Sequence, residues 1–396
     1  MQIEHLKFSN DFKFGAAVAA HQVEGGNYNN DWWEFEHQQE TLCKESSGDA
    51  CNFYHMYEED IKLMKDLNLN LFRFSIEWSR IEPAENEFSK AAMNHYINVA
   101  EKCLEHSIEP CITFHHFTTP IWATKDGSWL NPQITDRFVR FCDFVAKNLG
   151  DRLKWAVTIN EPNIVALMGY RTGVFPPGFK DTNFRRTATS NFIAAHRLAT
   201  EVIKNNVPQA KVGLSLSMTD YQTRPGGEDK LKKIRYIMQD IYLETLQNDD
   251  FVGVQTYSRH IIDPNKNQSG QSEPELPVTQ MGYEIYPQAL EATIKEAYDK
   301  TKTDILVTEN GIAPIGDVDS IRSKFIVDAL GGVKNCIDQN INVLGYVYWS
   351  LLDNFEWSLG FEPKFGLIKV DRRDFRRTVK PSAKLMSKIA ENSKNS

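Results

Sequence analysis

Two glutamates sit where hydrolytic chemistry would need carboxyl groups. Glu161 lies in the run TINEP, Thr158 to Pro162, and Glu309 in the run VTENG, Val307 to Gly311. Each ends an apolar, strand-like segment, and each has an asparagine beside it, Asn160 and Asn310. Cleavage of a glycosidic bond requires such a pair: one group protonates a poor leaving oxygen while the other stabilises or captures a sugar cation. Either glutamate alone reads more simply as a salt-bridge partner or a cap. Their matched settings are what point to catalysis.

Further chemistry-bearing residues close other apolar runs. Arg73, Ser75 and Glu77 follow Leu71, His115 and His116 end another run, and Trp349 leads into DNFEW, Asp353 to Trp357. Carboxylates and amides bind hydroxyls, and tryptophans offer apolar faces to the C–H side of a pyranose, so this set converges on a carbohydrate. Arg73 stands inside an apolar run and needs an anionic partner there; Glu309 would supply one. Adjacent strand residues point to opposite faces, so His115 and His116 cannot chelate one ion together, and one faces a mouth while the other packs. No HxH or HxxxH spacing occurs, so neither a metal nor any other cofactor is expected. The pair Trp32–Trp33 reads equally as core.

The elements that must position these residues alternate. Strand candidates are Phe12 to Val18, Leu71 to Ile76, Glu109 to Phe114, Leu153 to Ile159, Lys211 to Ser217, Phe251 to Thr256, Asp304 to Thr308 and Val343 to Trp349. Helix candidates lie at 50–67, 90–107, 133–149, 187–205, 229–247, 287–300, 319–339 and 382–392. Strand–helix alternation demands parallel neighbours joined by crossovers. Eight such units over 396 residues predict an α/β fold, a single (β/α)₈ TIM barrel with its active site at the C-terminal ends of the strands. An open doubly wound sheet is the alternative, but no GxGxxG or GxxxxGK[ST] loop follows any strand. The whole chain, 1–396, reads as one catalytic domain, with 263–275 and the tail 391–396 expected to be mobile.

A net charge of −8 argues against a nucleic-acid partner, which draws on clustered cations. Six cysteines without CxxC spacing read as free thiols. The N-terminus MQIEHLKFSNDFKFG has no apolar signal core, and no stretch reaches the roughly 20 apolar residues of a membrane span. A cytoplasmic enzyme is the expectation; the oligomeric state stays open.

From FKFGAAVAAHQVEGG, Phe12 to Gly26, to KFGLIKVD, Lys364 to Asp371, the sequence resembles glycoside hydrolase family 1, the β-glucosidase and β-galactosidase family. TINEP resembles its acid/base signature and VTENG its nucleophile signature. WSLLDNFEWSLGF, Trp349 to Phe361, is similar to its segment that holds the non-reducing sugar. The resemblance implies that Glu161 is the acid/base and Glu309 the nucleophile of a retaining mechanism on terminal β-D-glycosides, with glucosides, galactosides or fucosides as candidates. It implies that Arg73 and Tyr257 hold the nucleophile, that Asn160 contacts the 2-hydroxyl, that Gln22, His116, Glu356 and Trp357 bind the other hydroxyls, and that Trp349 lies under the ring. A carboxylate at Glu356 would repel a 6-phosphate, so a neutral glycoside or oligosaccharide is the expected partner.

Departures from the family pattern are also legible. Gln255 stands where an asparagine is usual, so a nucleophile-side hydrogen bond would be re-routed. His115, Phe117 and Thr118 replace common Tyr, Trp and Asp, and the chain reads as trimmed near 171–190 and 260–285, which would open the leaving-group side. A transglycosidase using the same two glutamates, or a catalytically silent sugar-binding barrel, would share these motifs.

Overall fold

The computed structural model describes residues 3–266 and 271–394. Eight parallel strands close a barrel: β1 (Lys13–Val18), β2 (Leu71–Ser75), β3 (Glu109–His115), β4 (Trp155–Asn160), β5 (Lys211–Ser217), β6 (Phe251–Gln255), β7 (Ile305–Asn310) and β8 (Val343–Trp349). Each pairs with its chain neighbour, and β8 pairs with β1, Lys13 opposite Gly345. All eight expected strands form. The fourth begins at Trp155 because Leu153 belongs to the turn leading in, and the seventh runs on to Asn310.

Helices cover the outside: α1 (Phe53–Asp66), α2 (Lys90–Glu105), α3 (Gln133–Leu149), α4 (Thr182–Asn206), α5 (Glu228–Arg235), α6 (Ala289–Thr301), α7 (Asp319–Asp338) and α8 (Pro381–Lys394). The face of α3 that meets the sheet, Ile134, Phe138, Phe141, Cys142 and Val145, repeats at three and four residues and is wholly buried. Burial of each such large side chain contributes about 1.5–3 kcal/mol. The fourth helix starts five residues before its expected position because the Asp181 carboxylate caps it, accepting from the Asn183 and Phe184 N–H groups. That early start overrides the weaker apolar periodicity of its first turn. The eighth helix runs to Lys394, into the stretch expected to be a loose tail, and Ser393 Oγ accepts from Phe8 N–H at 3.3 Å. Residues 267–270 of the polar stretch and 395–396 of the tail lie outside the described residues.

Two cores result. One lies between sheet and helices, and the other fills the barrel itself with Leu71, Cys111, Trp155, Val157, Phe251 and Leu306. Inward residues alternate along the strands, but β4 and β7 break step. Val157 pairs with Gly213 and Asn160 with Ser215, so β4 carries one extra residue. On β7, Val307 pairs with Val254 and Glu309 with Gln255, again one residue too many. Both bulges fall at the C-terminal rim beside the glutamates, where a bulge re-aims side chains. A Cβ at Gly311 would lie 1.9 Å from the Trp349 carbonyl oxygen, so the residue closing VTENG is required by the approach of β8.

Candidate active site

On β4, Thr158 points outward to His196 Nδ1 (2.7 Å) on α4, and Ile159 joins the outer core. The bulge then turns Asn160 inward. Glu161 follows with φ 45° and ψ 55°, its N–H donating to Ser215 O at 2.8 Å. Left-handed backbone costs a non-glycine residue about 1–2 kcal/mol, and Pro162 immediately starts a short helix with its ring at the first helical position. Strain held by surrounding structure in this way is a feature of functional sites.

Across the barrel, Glu309 accepts from Arg73 Nη1 through Oε1 and from the Tyr257 hydroxyl through Oε2, both at 2.5 Å. Arg73 lies on β2, fully enclosed, and its Nη2 donates to Asn160 Oδ1 at 2.5 Å. The same oxygen accepts from Gln255 Nε2 at 2.9 Å. With Oδ1 taken twice, Asn160 presents Nδ2 to His116 Nε2 at 3.2 Å. The bond at Gln255 expected to be re-routed is shared instead: its side chain reaches Asn160 and also hydrogen-bonds Glu309, which ties β4, β6 and β7 to one guanidinium.

His116 Nε2 accepts that bond, so its proton sits on Nδ1. Burial, with Arg73 and His115 adding to it, lowers the imidazole pKa well below its usual range and keeps the ring neutral. His116 Nδ1 and Gln22 Oε1 are buried without hydrogen-bond partners, and both residues line a cavity of about 330 Å³. Unpaired buried polar atoms beside a cavity mark where a polar ligand would complete the bonding. His115 turns the other way, into Trp129, Phe138 and Phe192.

The cavity also takes in Asn160, Glu161, Tyr257, Glu309, Trp349, Glu356 and Trp357. The residues expected to act on or bind the sugar therefore all line it, except Arg73, which contacts Glu309 and Asn160 from outside the lining. Trp357 is wedged between Trp32 (4.5 Å between ring centroids) and the parallel His21 ring (5.8 Å). Trp32 is core that braces the site, whereas Trp33 stacks on His37. Glu77 and Asp353 do not line the cavity: Glu77 accepts from Asn27 and Thr118, and Asp353 pairs with Lys380. Sequence reasoning missed Ser217, Met168, Phe175, Met281 and Tyr283, which also line the cavity. Ser217 ends β5 and was open to the same strand-end logic as the others. The rest sit outside the barrel strands, where no periodicity marks them.

Burial raises the carboxyl pKa values here, by unequal amounts. Glu161 is pushed well above its usual range by burial and then by Glu309, with Ser217 and Arg73 opposing. At Glu309 burial also leads, but Arg73, the Tyr257 hydroxyl and Gln255 all pull downward, so it stays the more acidic of the two. Burial and Glu309 push Glu356 to about 8. Two carboxyls with separated affinities for a proton, one held by a cation and one not, can serve as nucleophile and acid in a single step.

The model of glycosyl hydrolase family 1 matches residues 4–254 and 238–395 of the chain. β-Glucosidase A of Thermotoga maritima is 29% identical, with 98% of each chain covered. A 6-phospho-β-galactosidase of Clostridium acetobutylicum is 31% identical over 97% of each. Among solved structures, that of β-glycosidase BGL167 superposes with a TM-score of 0.91 at 40% identity, covering 97% of both chains. Among the described residues no helix is long and apolar enough to cross a membrane.

Proposed function

The chain belongs to glycosyl hydrolase family 1 and is a retaining β-glycosidase, and from that premise we propose that Glu309 is its nucleophile and Glu161 its acid/base. The observation that carries this reading is the single cation: Arg73 contacts Glu309, and among the described residues no salt bridge reaches Glu161. Glu309, held ionised and oriented by Arg73 and Tyr257, attacks the anomeric carbon while Glu161 passes its proton to the leaving oxygen. The glycosyl–Glu309 ester then forms, and the glycosidic C–O bond breaks. Glu161, now ionised, takes a proton from water as the water oxygen attacks the anomeric carbon and expels Glu309. Asn160, locked by Arg73 and Gln255, turns its Nδ2 toward the ligand and binds the 2-hydroxyl.

This assignment sets the pH profile. On the acid side kcat/KM falls as Glu309 takes a proton, and on the alkaline side as Glu161 loses one. Both carboxyls are raised, Glu161 more, so the bell sits above the ordinary carboxylate range of about 4. The two limbs belong to the coupled set rather than to single residues. The expected outcome is a bell in wild type whose alkaline limb disappears in Glu161→Gln; an alkaline limb unchanged in that variant would refute the role of Glu161.

Gln22, His116, Glu356, Trp349 and Trp357 hold the sugar, and the preferred substrate is a neutral glycoside. Glu356 has no cation partner among the described residues, so a phosphate placed against it would meet a part-buried carboxyl group and no charge to pair with. Where Glu356 is ionised, like charges about 4 Å apart at an effective dielectric of about 20 repel by roughly 4 kcal/mol; where it is protonated, the phosphate still loses water without gaining a counter-charge. A 6-phosphorylated aryl β-glycoside is therefore expected to show kcat/KM on the order of 10²–10³ below its neutral parent. Equal or better turnover of the phosphorylated substrate would overturn the neutral-glycoside reading and align the chain with its Clostridium relative. The apolar side chains of Ile164, Met168, Phe175 and Met281 on the rim suit an apolar aglycone. Six free cysteines, five of them buried, support a reducing compartment such as the cytoplasm, and one closed barrel supports a single catalytic domain.

A further inference from the structure

Glu161, Glu309 and Glu356 all line one cavity, yet no lysine or arginine lines it. The nearest cation, Arg73, lies beneath and is taken by Glu309 and Asn160. His116 is neutral. Glu356 is left with Gln22 Nε2 at 3.4 Å and the Trp349 side chain as its hydrogen-bond partners. Beside it, Gln22 donates to the Phe355 carbonyl at 2.8 Å, which fixes the amide so that Oε1 is an acceptor with no donor. The charged and titratable groups facing Glu356 are Glu309, Glu161, Tyr257 and Tyr283, and none of them is a cation. This corner is rich in acceptors and short of positive charge.

We propose that Glu356 and Gln22 Oε1 accept a cationic substituent on the glycone, so that the substrate class extends to β-glycosides of sugars bearing a primary amine at C4 or C6. The inference rests on the glycosidase reading of the cavity with the sugar seated in it. An ammonium carries three donors and no acceptor, enough to satisfy Glu356 and the orphaned Gln22 oxygen together, whereas a hydroxyl has one hydrogen to give. The bond to Glu356 is charge-assisted and correspondingly strong. The partial burial of Glu356 is a property of the folded enzyme, so binding adds the desolvation of the amine and, below about pH 8, the ionisation of Glu356. These positions are remote from the anomeric carbon, so the bonds made and broken in hydrolysis are unchanged.

The test compares 4-nitrophenyl β-D-glucoside with its 6-amino-6-deoxy and 4-amino-4-deoxy analogues, in wild type and Glu356→Gln. For at least one amine, the amine-to-hydroxyl ratio of kcat/KM is expected to be about tenfold higher in wild type than in the variant. A difference of about threefold or more supports the proposal, and anything smaller for both amines overturns it. If the variant hydrolyses neither substrate, wild type decides: the ratio must rise by about threefold between about pH 6 and about pH 8, as Glu356 ionises while the amine stays charged. A flat or falling ratio overturns the proposal. Absence of hydrolysis of every neutral β-glycoside by wild type would instead remove the glycosidase reading beneath it.

Discussion

Glu309→Gly is expected to lower kcat for an aryl β-glycoside by roughly 10⁴–10⁶-fold, the scale seen when a nucleophile is removed from a concerted catalytic set. The same variant should still transfer sugar from a glycosyl fluoride of inverted configuration, because the fluoride fills the space left by the carboxylate and imitates the covalent intermediate. Glu161, Asn160 and the sugar contacts remain to activate an acceptor. Removing Glu309 also strips Arg73 of its anion in a dry interior, an uncompensated charge that costs about 3–5 kcal/mol. The melting temperature should fall accordingly. Glu309→Gln, which keeps a polar partner for Arg73 and Tyr257, separates the two effects: it should recover much of the stability and none of the turnover. Wild-type hydrolysis by either variant would show that Glu309 is not the nucleophile.

Glu161→Ala should act differently, and the difference is diagnostic. General acid catalysis contributes about 10²–10⁴-fold, but only where the leaving group needs a proton. Alkyl glycosides and disaccharides should lose that full factor in kcat/KM, while a 2,4-dinitrophenyl glycoside, whose leaving group departs unaided, should lose little. Its turnover should nevertheless slow, because water attacks the glycosyl–Glu309 ester without a base, and azide should restore the rate by attacking without one. The left-handed backbone at Glu161 makes alanine tolerable in shape but no better in strain, so stability should change little. A loss equal for all leaving groups would indicate that Glu161 positions the sugar and does not transfer the proton.

Much of this site was legible before the fold. TINEP and VTENG each closed a β-branched apolar run, and the runs lay in the fourth and seventh of eight units. Arg73 in an apolar strand called for an anion, and Glu309 is that anion. The bulges of β4 and β7 were not legible. Strict alternation from Val157 would have turned Ile159 inward and Asn160 outward, and strict alternation from Leu306 would have turned Glu309 away from the cavity. An extra residue on each strand reverses this, and the unpaired position depends on the neighbouring strands, not on local residue type. The same holds for Gln255, whose departure from the usual asparagine was visible but whose partner, Asn160, was not. Met281 and Tyr283 reach the cavity from a long connection after β6, where no repeat of apolar residues signals a direction. The first turn of α4 was missed because its capping bond, not an apolar face, starts it.

Sequence by itself determined the parallel barrel and pointed to the two carboxyls, because strand period, crossover length and side-chain chemistry are local properties of the chain, while resemblance to the family supplied the shell of amide, imidazole and indole groups around them. Tertiary structure decided which carboxyl is paired with the buried Arg73 guanidinium, and therefore which is more acidic. It also decided that Glu356 lines the cavity with no cation partner among the described residues. Proton affinity and charge pairing in a dry cavity depend on what lies within a few ångströms across the barrel, and those neighbours come from strands far apart in the chain.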